Sequence, residues 1–254
     1  MYGIAIDDSK IQRKLLARFF MYAGIPQDRI IIKGATNDEI LQFGDWASAF
    51  IDAHPSDLFF MLVDENLEVE VDSSNTKFIT VSGSKLVSEM RKRMLPDQER
   101  RLLALIRSAN DSASDVAIYN SRAHGYLPKT PIKKETVLDL VYPAWKNRFL
   151  NVERKPDYDS FEDDGADISL KDVESIISEI TTRFADVDQE VLEENWVVAW
   201  EKIHVLKGDL QTLPIKSDNF LNALQLINNL RGPKPPKDFR RTWYVIRELL
   251  QKTS

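Results

Sequence analysis

Three carboxylates, a hydroxyl, an ammonium group and an imidazole sit where they could handle a phosphoryl group. Asp7 and Asp8 close one apolar run, Asp64 closes "DLFFMLV", Ser108 closes "LLALIR" and Lys129 follows "GYLP". Carboxylates brought close together repel one another unless a cation neutralises them. A set of hard oxygen ligands suits Mg²⁺. A carboxylate can attack phosphorus and form an acyl phosphate, and a metal, Lys129 and Ser108 would then bind the phosphoryl oxygens. Far along the chain, "IHVLKG" places Lys207 three residues and Gly208 four residues after His204. An imidazole that accepts phosphate needs solvent access, a neighbouring cation for the phosphoryl oxygens and room for a partner's surface. Taken singly, each residue is ordinary: an acid after a strand is most often a helix cap, and a helical histidine most often a surface residue. Their order on successive strand ends carries the argument.

The elements that must position these groups follow from apolar periodicity. Residues 3–8, 29–35, 57–63, 102–107 and 125–127 read as short buried strands. Between them, 10–23 is a helix capped by Ser9, 37–53 is helical, and 132–148 is a last helix interrupted or bent near Pro143. Continuous apolar strands alternating with helices predict a parallel sheet covered on both faces, five strands in all. In such sheets ligands bind beyond the carboxyl ends of the strands, which is where Asp7, Asp8, Asp64, Ser108 and Lys129 would meet. The run Arg91-Lys92-Arg93 reads as a solvated helix face.

The second half reads differently. Residues 151–168 are polar and acidic and contain Pro156 and Gly165, a linker composition. Four helical patterns follow, at 169–187 behind a Ser169 cap, 189–213, 218–230 behind Ser217, and 237–251, which predict an antiparallel four-helix bundle. At about 100° per residue, Trp196, Ala199, Ile203, Leu206, Leu210 and Leu213 form the core stripe of the second helix. His204 falls roughly 120° from its centre, on a strip shared with Val197, Trp200, Lys207, Gly208 and Gln211. A mid-helix glycine costs roughly 1 kcal/mol relative to alanine, so Gly208 implies that close approach is wanted there. His54 and His124 read as loop or helix-end residues without such company.

Bulk properties narrow the classes. The 254 residues are 43% apolar and 29% charged, as in a globular protein with a real core. No apolar run approaches the roughly 18 residues of a membrane span, and the start carries no basic leader. There is no cysteine, which removes disulfides and thiolate metal sites and is compatible with the expected cytoplasmic location. Residues 1–150 hold 20 basic and 20 acidic side chains, and 151–254 hold 14 and 20, so the net charge of −6 lies in the second half. A neutral domain with an acidic connector has no electrostatic footprint for nucleic acid. No two of the nine glycines lie closer than ten residues, so there is no nucleotide-binding glycine loop and no ATP-binding kinase core. Any phosphoryl group must come from a partner.

The motifs "IAIDDS", "MLVDEN", "LIRSAN" and "GYLPK" resemble the receiver domain of two-component response regulators over about residues 2–149. The resemblance implies a flavodoxin-like doubly wound receiver domain at 1–150. In it Asp64 is the phospho-acceptor, Asp7, Asp8, Asp64 and the carbonyl of Asn66 hold Mg²⁺, Ser108 is the switch hydroxyl and Tyr126 the switch aromatic. Thr130 stands between Lys129 and Pro131, where the family usually has proline at once. Residues 68–85 look like an insertion beside the site, a small hairpin or flap. "HVLKG" is similar to the H-x-L-K-G of histidine phosphotransfer (HPt) domains, over about 169–252. That implies His204 as a second phospho-acceptor, supported by Lys207 and Gly208. The whole then resembles a phosphorelay protein, one that passes phosphate on rather than turning over a substrate. Its expected partners are a histidine kinase or phospho-HPt donor and a downstream receiver or HPt protein, with no nucleic acid and no membrane. Two alternatives remain: a phosphorylation-switched binding module with an idle bundle, and a phosphatase using Asp64 as nucleophile. The second is disfavoured because such enzymes need an acid two residues on, where Asn66 stands.

Overall fold

Apolar residues on both faces drive the strands of the first unit inward, and serine caps start several of its helices. Helix α1 (Lys10–Tyr22) begins where the Ser9 hydroxyl accepts the Gln12 N–H, one of the donors a helix start leaves unpaired. The computed structural model describes residues 1–72, 77–129, 137–149, 170–211, 213, 217–230 and 238–251. The linker at 151–168, the Ser169 cap, Thr130 and Pro131 lie outside these residues. The chain divides into two units, Met1–Pro128 with Ile132–Asp164, and Lys129–Pro131 with Gly165–Ser254.

The first unit is built on strands β1 (Tyr2–Ile6), β2 (Ile30–Lys33), β3 (Phe59–Asp64), β6 (Leu102–Ser108) and β7 (Gly125–Pro128). They form one parallel sheet in the order β2-β1-β3-β6-β7. Counted alone, these five strands follow the order 2-1-3-4-5 of flavodoxin-like folds. The chain reverses its winding between β1 and β3, so the crevice that such a fold opens lies at the carboxyl ends of those two strands.

Side-chain alternation divides the core. Ile4, Ile6, Phe59, Met61, Val63, Leu102, Ala104 and Ile106 pack in one layer, with α2 (Asn37–Leu41), α3 (Phe43–Ala53), α4 (Gly83–Arg93) and α6 (Ala113–Arg122). Ala5, Phe60, Leu62, Leu103, Leu105 and Leu127 pack in the other, with α1 and α7 (Tyr142–Arg148). A short helix α5 (Pro96–Arg100) leads into β6.

Several boundaries differ from the sequence expectation. The helical stretch 37–53 is two helices meeting at Gln42. Of the last helix, 132–136 lie outside the described residues; a π turn at Val137–Val141 gives way to α7, with Pro143 in its opening turn. Where an insertion is expected, β4 (Asn66–Asp72) and β5 (Lys77–Ser82) pair antiparallel as a hairpin, and α4 begins at once with Gly83. The expected range of 68–85 therefore starts too late and runs into a helix. The Asn37 side chain fastens the hairpin, donating to the Glu70 carbonyl at 2.7 Å and accepting its N–H at 3.1 Å. The basic cluster at the end of α4 is not wholly solvated: Arg91 is partly buried and pairs with Glu99 at 2.8 Å.

The second unit is a helical bundle of α8 (Leu170–Leu192), α9 (Trp196–Gln211), α10 (Asp218–Asn229) and α11 (Phe239–Gln251). Sequential neighbours pack on one another. Trp243 of α11 closes the ring by stacking edge-on to Phe184 of α8 and donating to Asp188 at 2.8 Å. The first two helices divide at Glu194, whose positive φ of 60° ends α8, so residues 189–192 belong to α8 and not to the helix of His204. Ser217 caps α10 as expected, accepting the Phe220 N–H. Among the described residues no helix is long and apolar enough to cross a membrane.

Candidate functional site

The crevice between β1 and β3 holds an acidic trio. Asp7 is fully buried, Asp64 nearly so and Asp8 half-buried, and one carboxylate oxygen of each lies within 4.8 Å of the others. The backbone is pinned to keep them there. Ser9 N–H donates to Asp7 Oδ1 at 3.0 Å. Arg13 Nη1 donates to the carbonyls of Asp7, Asp8 and Gly34 at 3.0, 2.7 and 2.9 Å. Gly34 has φ +106°, and a Cβ there would stand 2.3 Å from the Asp7 carbonyl oxygen. On the β3 side a Cβ on Gly83 would stand 1.9 Å from the Asp64 carbonyl oxygen, so the first turn of α4 lies directly on that strand end. Glu65, the residue after Asp64, faces this turn. It accepts the Ser82 hydroxyl at 2.8 Å, the Ser84 N–H at 2.8 Å and the Ser84 hydroxyl at 3.2 Å.

The donor set suits a small hard cation. Octahedral Mg²⁺ at about 2.1 Å from each ligand separates its oxygens by roughly 3 to 4 Å, which the trio reaches with small adjustments. Asn66 opens the hairpin opposite Ser82. Lys129, directly after β7, is buried and groups with the second unit.

Ser108 ends β6, whose Arg107 is registered with Asp64 of β3. Its hydroxyl accepts the Asn110 N–H at 3.0 Å and the Tyr119 hydroxyl at 3.3 Å. With both lone pairs occupied, its own proton is left to donate. The Tyr126 hydroxyl donates to the Ser108 carbonyl at 3.1 Å, and the Tyr119 and Tyr126 rings stack at 5.6 Å. Burial pushes the Tyr119 phenol up to about 12, with the nearby Glu65, Asp115 and Asp64 charges adding to it. Burial also drives the Tyr126 phenol up. Both are neutral donors at physiological pH. Tyr119, Arg13 and Glu65 were not singled out from the sequence; each acts on a residue reached only through the fold.

In the bundle, His204 is half-buried in α9, and its ring meets Trp200 edge-on at 4.3 Å. Trp200 Nε1 donates to the Leu230 carbonyl of the loop after α10. The core stripe is as expected at Ala199, Ile203, Leu206, Leu210 and Leu213, all buried, with Trp196 partly so. The strip carrying His204 is less open than expected: Lys207 and Gly208 are buried, and Asp209 too, paired with Arg183 of α8 at 3.2 Å. Residues 206–210 are thus buried in succession over more than one turn.

Of the other histidines, His54 ends α3 with Nδ1 at 2.8 Å from the Phe50 carbonyl. His124 accepts the Ala104 N–H at Nδ1 and approaches Glu99 through Nε2 at 2.9 Å. Neither lies with the trio.

No protein-family model matches the chain, and no curated protein sequence matches it. Solved structures do. One is the Vibrio cholerae chemotaxis protein CheY4, with 20% identity over 57% of this chain and 98% of that one, at a TM-score of 0.39. Another is the signal receiver domain of the response regulator NarL from Mycobacterium tuberculosis, with 20% identity over 56% and 94%, at 0.37. A third is a two-component response regulator/GGDEF domain protein, with 18% identity over 58% and 49%, at 0.38. Likenesses at these scores do not themselves establish a fold; the strand order and register do.

Proposed function

We propose that the chain is a two-component phosphorelay protein that accepts a phosphoryl group on Asp64 and passes phosphate through His204. The observation that carries the reading is the convergence of the Asp7, Asp8 and Asp64 carboxylates at the β1/β3 switch point, within 4.8 Å. When bound there by these three acids and the Asn66 carbonyl, Mg²⁺ would neutralise phosphoryl charge and screen the acids from one another. An Asp64 oxygen attacks phosphorus, a new O–P bond forms, and the donor's bond to phosphorus breaks with the electron pair leaving on the donor. With a phosphohistidine donor the leaving group is a ring nitrogen. Ser108, whose proton is free to donate, and Lys129 would meet the phosphoryl oxygens. Tyr126 holds the Ser108 backbone in place and would report its movement.

In the bundle, His204 would take phosphate from an aspartyl phosphate through a ring nitrogen, with Lys207 steadying the oxygens and Gly208 leaving room. The partners implied are a histidine kinase or phospho-HPt donor upstream and a receiver or HPt protein downstream. A second reading has one observation in its favour: the burial of Lys207 and Gly208 suits a phosphorylation-switched binding module in which His204 carries no phosphate.

Phosphate tracing separates the two. The full chain is incubated with Mg²⁺ and labelled acetyl phosphate or a labelled phospho-HPt protein, as wild type, Asp64→Asn and His204→Gln. A relay gives base-stable, acid-labile label on His204 that Asp64→Asn or an added phospho-receiver controls. Label confined to Asp64, with His204 unmodified from every donor, leaves the switch. No label on Asp64 overturns both.

A further inference from the structure

One charged side chain in the sheet core has no place in the chemistry above. Arg107 is 2% exposed, in a strand whose other residues, apart from Ser108, are apolar. Alternation decides which way it faces. Ala5 of β1, Phe60 and Leu62 of β3, and Leu103 and Leu105 of β6 all pack in the layer against α1. Two residues further along each strand, Asp7, Asp64 and Arg107 fall in that same layer. Register completes the row. Arg107 is the partner of Asp64, and Asp7 follows Ile6 as Asp64 follows its partner Val63. Adjacent strands are about 4.8 Å apart, so a guanidinium stem stands next to the central acid of the trio.

The side chain is anchored at this end of the sheet. Arg107 Nη1 donates to Gln12 Oε1 at 2.7 Å, with both residues buried. Gln12 lies in the first turn of α1, and its N–H donates to Ser9, whose own N–H holds Asp7. Arginine stays protonated at any pH the protein meets. A buried guanidinium is stable only where anions answer its charge.

We propose that Arg107 is a built-in cation of the Asp7–Asp8–Asp64 site, which balances part of its charge and weakens its hold on a divalent metal. The proposal rests on the reading of the trio as a metal-dependent site. If the guanidinium stands about 6 Å from a bound Mg²⁺, somewhat more than one strand spacing, its unit charge opposes binding by an amount corresponding to roughly tenfold in affinity, even at the dielectric of water. With Arg107 in place, the three acids tolerate the metal-free state and release the metal readily.

The test is titration of Mg²⁺ into the full chain by calorimetry, for wild type, Arg107→Met, Arg107→Gln and Arg107→Lys. Arg107→Gln keeps a neutral, hydrogen-bonding side chain at this position and guards against a packing defect of Arg107→Met. The neutral variants should bind Mg²⁺ about tenfold more tightly, and Arg107→Lys should stay within about threefold of wild type. Thermal unfolding gives a second readout: the rise in midpoint from EDTA to excess Mg²⁺ should be larger in the neutral variants. Unchanged or weaker Mg²⁺ binding by a folded neutral variant overturns the proposal. So does tight binding by Arg107→Lys. Labelling with acetyl phosphate in the same samples keeps the two readings apart. Label on Asp64 with unchanged Mg²⁺ affinity removes Arg107 and leaves phosphorylation standing. A shifted affinity without label on Asp64 does the reverse.

Discussion

At the scale of single residues, Ser108 decides how the β6 end behaves. Two donors, the Asn110 N–H and the Tyr119 hydroxyl, converge on its oxygen inside the core. Ser108→Ala would leave both donors without an acceptor, and an orphaned buried donor costs about 1–3 kcal/mol. Tyr119→Phe removes one donor and leaves Ser108 satisfied by the other, at about 1 kcal/mol. Chemical denaturation should rank Ser108→Ala as the more damaging change. Equal losses would mean that the Tyr119 contact, the longer of the two, contributes as much as both. Asp64 and Ser108 were visible in the sequence because strand ends follow from apolar runs. Tyr119 was not, because its role depends on a contact across eleven positions that no local pattern marks.

At the scale of elements, two glycines at helix starts make opposite forecasts. Gly83 opens α4 against the Asp64 carbonyl, where a Cβ would approach to 1.9 Å. Gly83→Ala must move the backbone of the acceptor strand. It should cost more than about 2 kcal/mol, although alanine favours a helix by up to about 1 kcal/mol. Gly44, near the start of α3, has nothing nearer than 3.5 Å to such a Cβ, so Gly44→Ala should be neutral or mildly stabilising. Urea midpoints check both, and a stabilised Gly83→Ala would show that α4 does not press on the strand. The helix at 83–93 showed only through the face carrying Arg91-Lys92-Arg93, and that at 113–122 had no place in the sequence reading. The hairpin before the first of them showed only as an insertion. Its register is set by the pairing of β4 with β5, and Asn37 from another helix holds it at Glu70, so its true limits could not be read locally.

At the scale of the whole first unit, the two ends of the sheet do different work. The carboxyl end gathers the acids, and the amino end is tied together by Glu99. This carboxylate takes Arg91 from α4 at 2.8 Å, His124 before β7 at 2.9 Å and Arg148 of α7 at 3.3 Å. Burial alone would raise the Glu99 carboxyl, but the hydrogen bonds from His124 and Arg91 outweigh it and hold it at about 2. Burial lowers His124, against the pull of Glu99, and the Ala104 N–H on Nδ1 requires the neutral ring. Both groups bind more protons unfolded than folded, so stability rises with pH. It should fall as the pH drops below about 6.5, where the unfolded histidine begins to charge. It should fall further from about 4.5 towards about 2 as Glu99 is protonated. Denaturation midpoints measured from pH 7 to pH 3 should show both steps in the wild type, and Glu99→Gln should lose the lower one. A flat profile would mean that the network contributes nothing to stability.

The sequence by itself determined the alternation of strand and helix, the acids at the β1 and β3 ends, the serine caps at Ser9 and Ser217 and the core stripe of α9. Each depends on hydrogen bonds or apolar spacing within a few residues, where the chain carries its own instructions. Tertiary structure alone decided the break at Gln42, the row of Asp7, Asp64 and Arg107, the convergence on Glu99 and the burial of Lys207 and Gly208. Those follow from register and from packing between segments far apart in the chain. A side chain's neighbours there are chosen by the fold and not by its own surroundings in sequence.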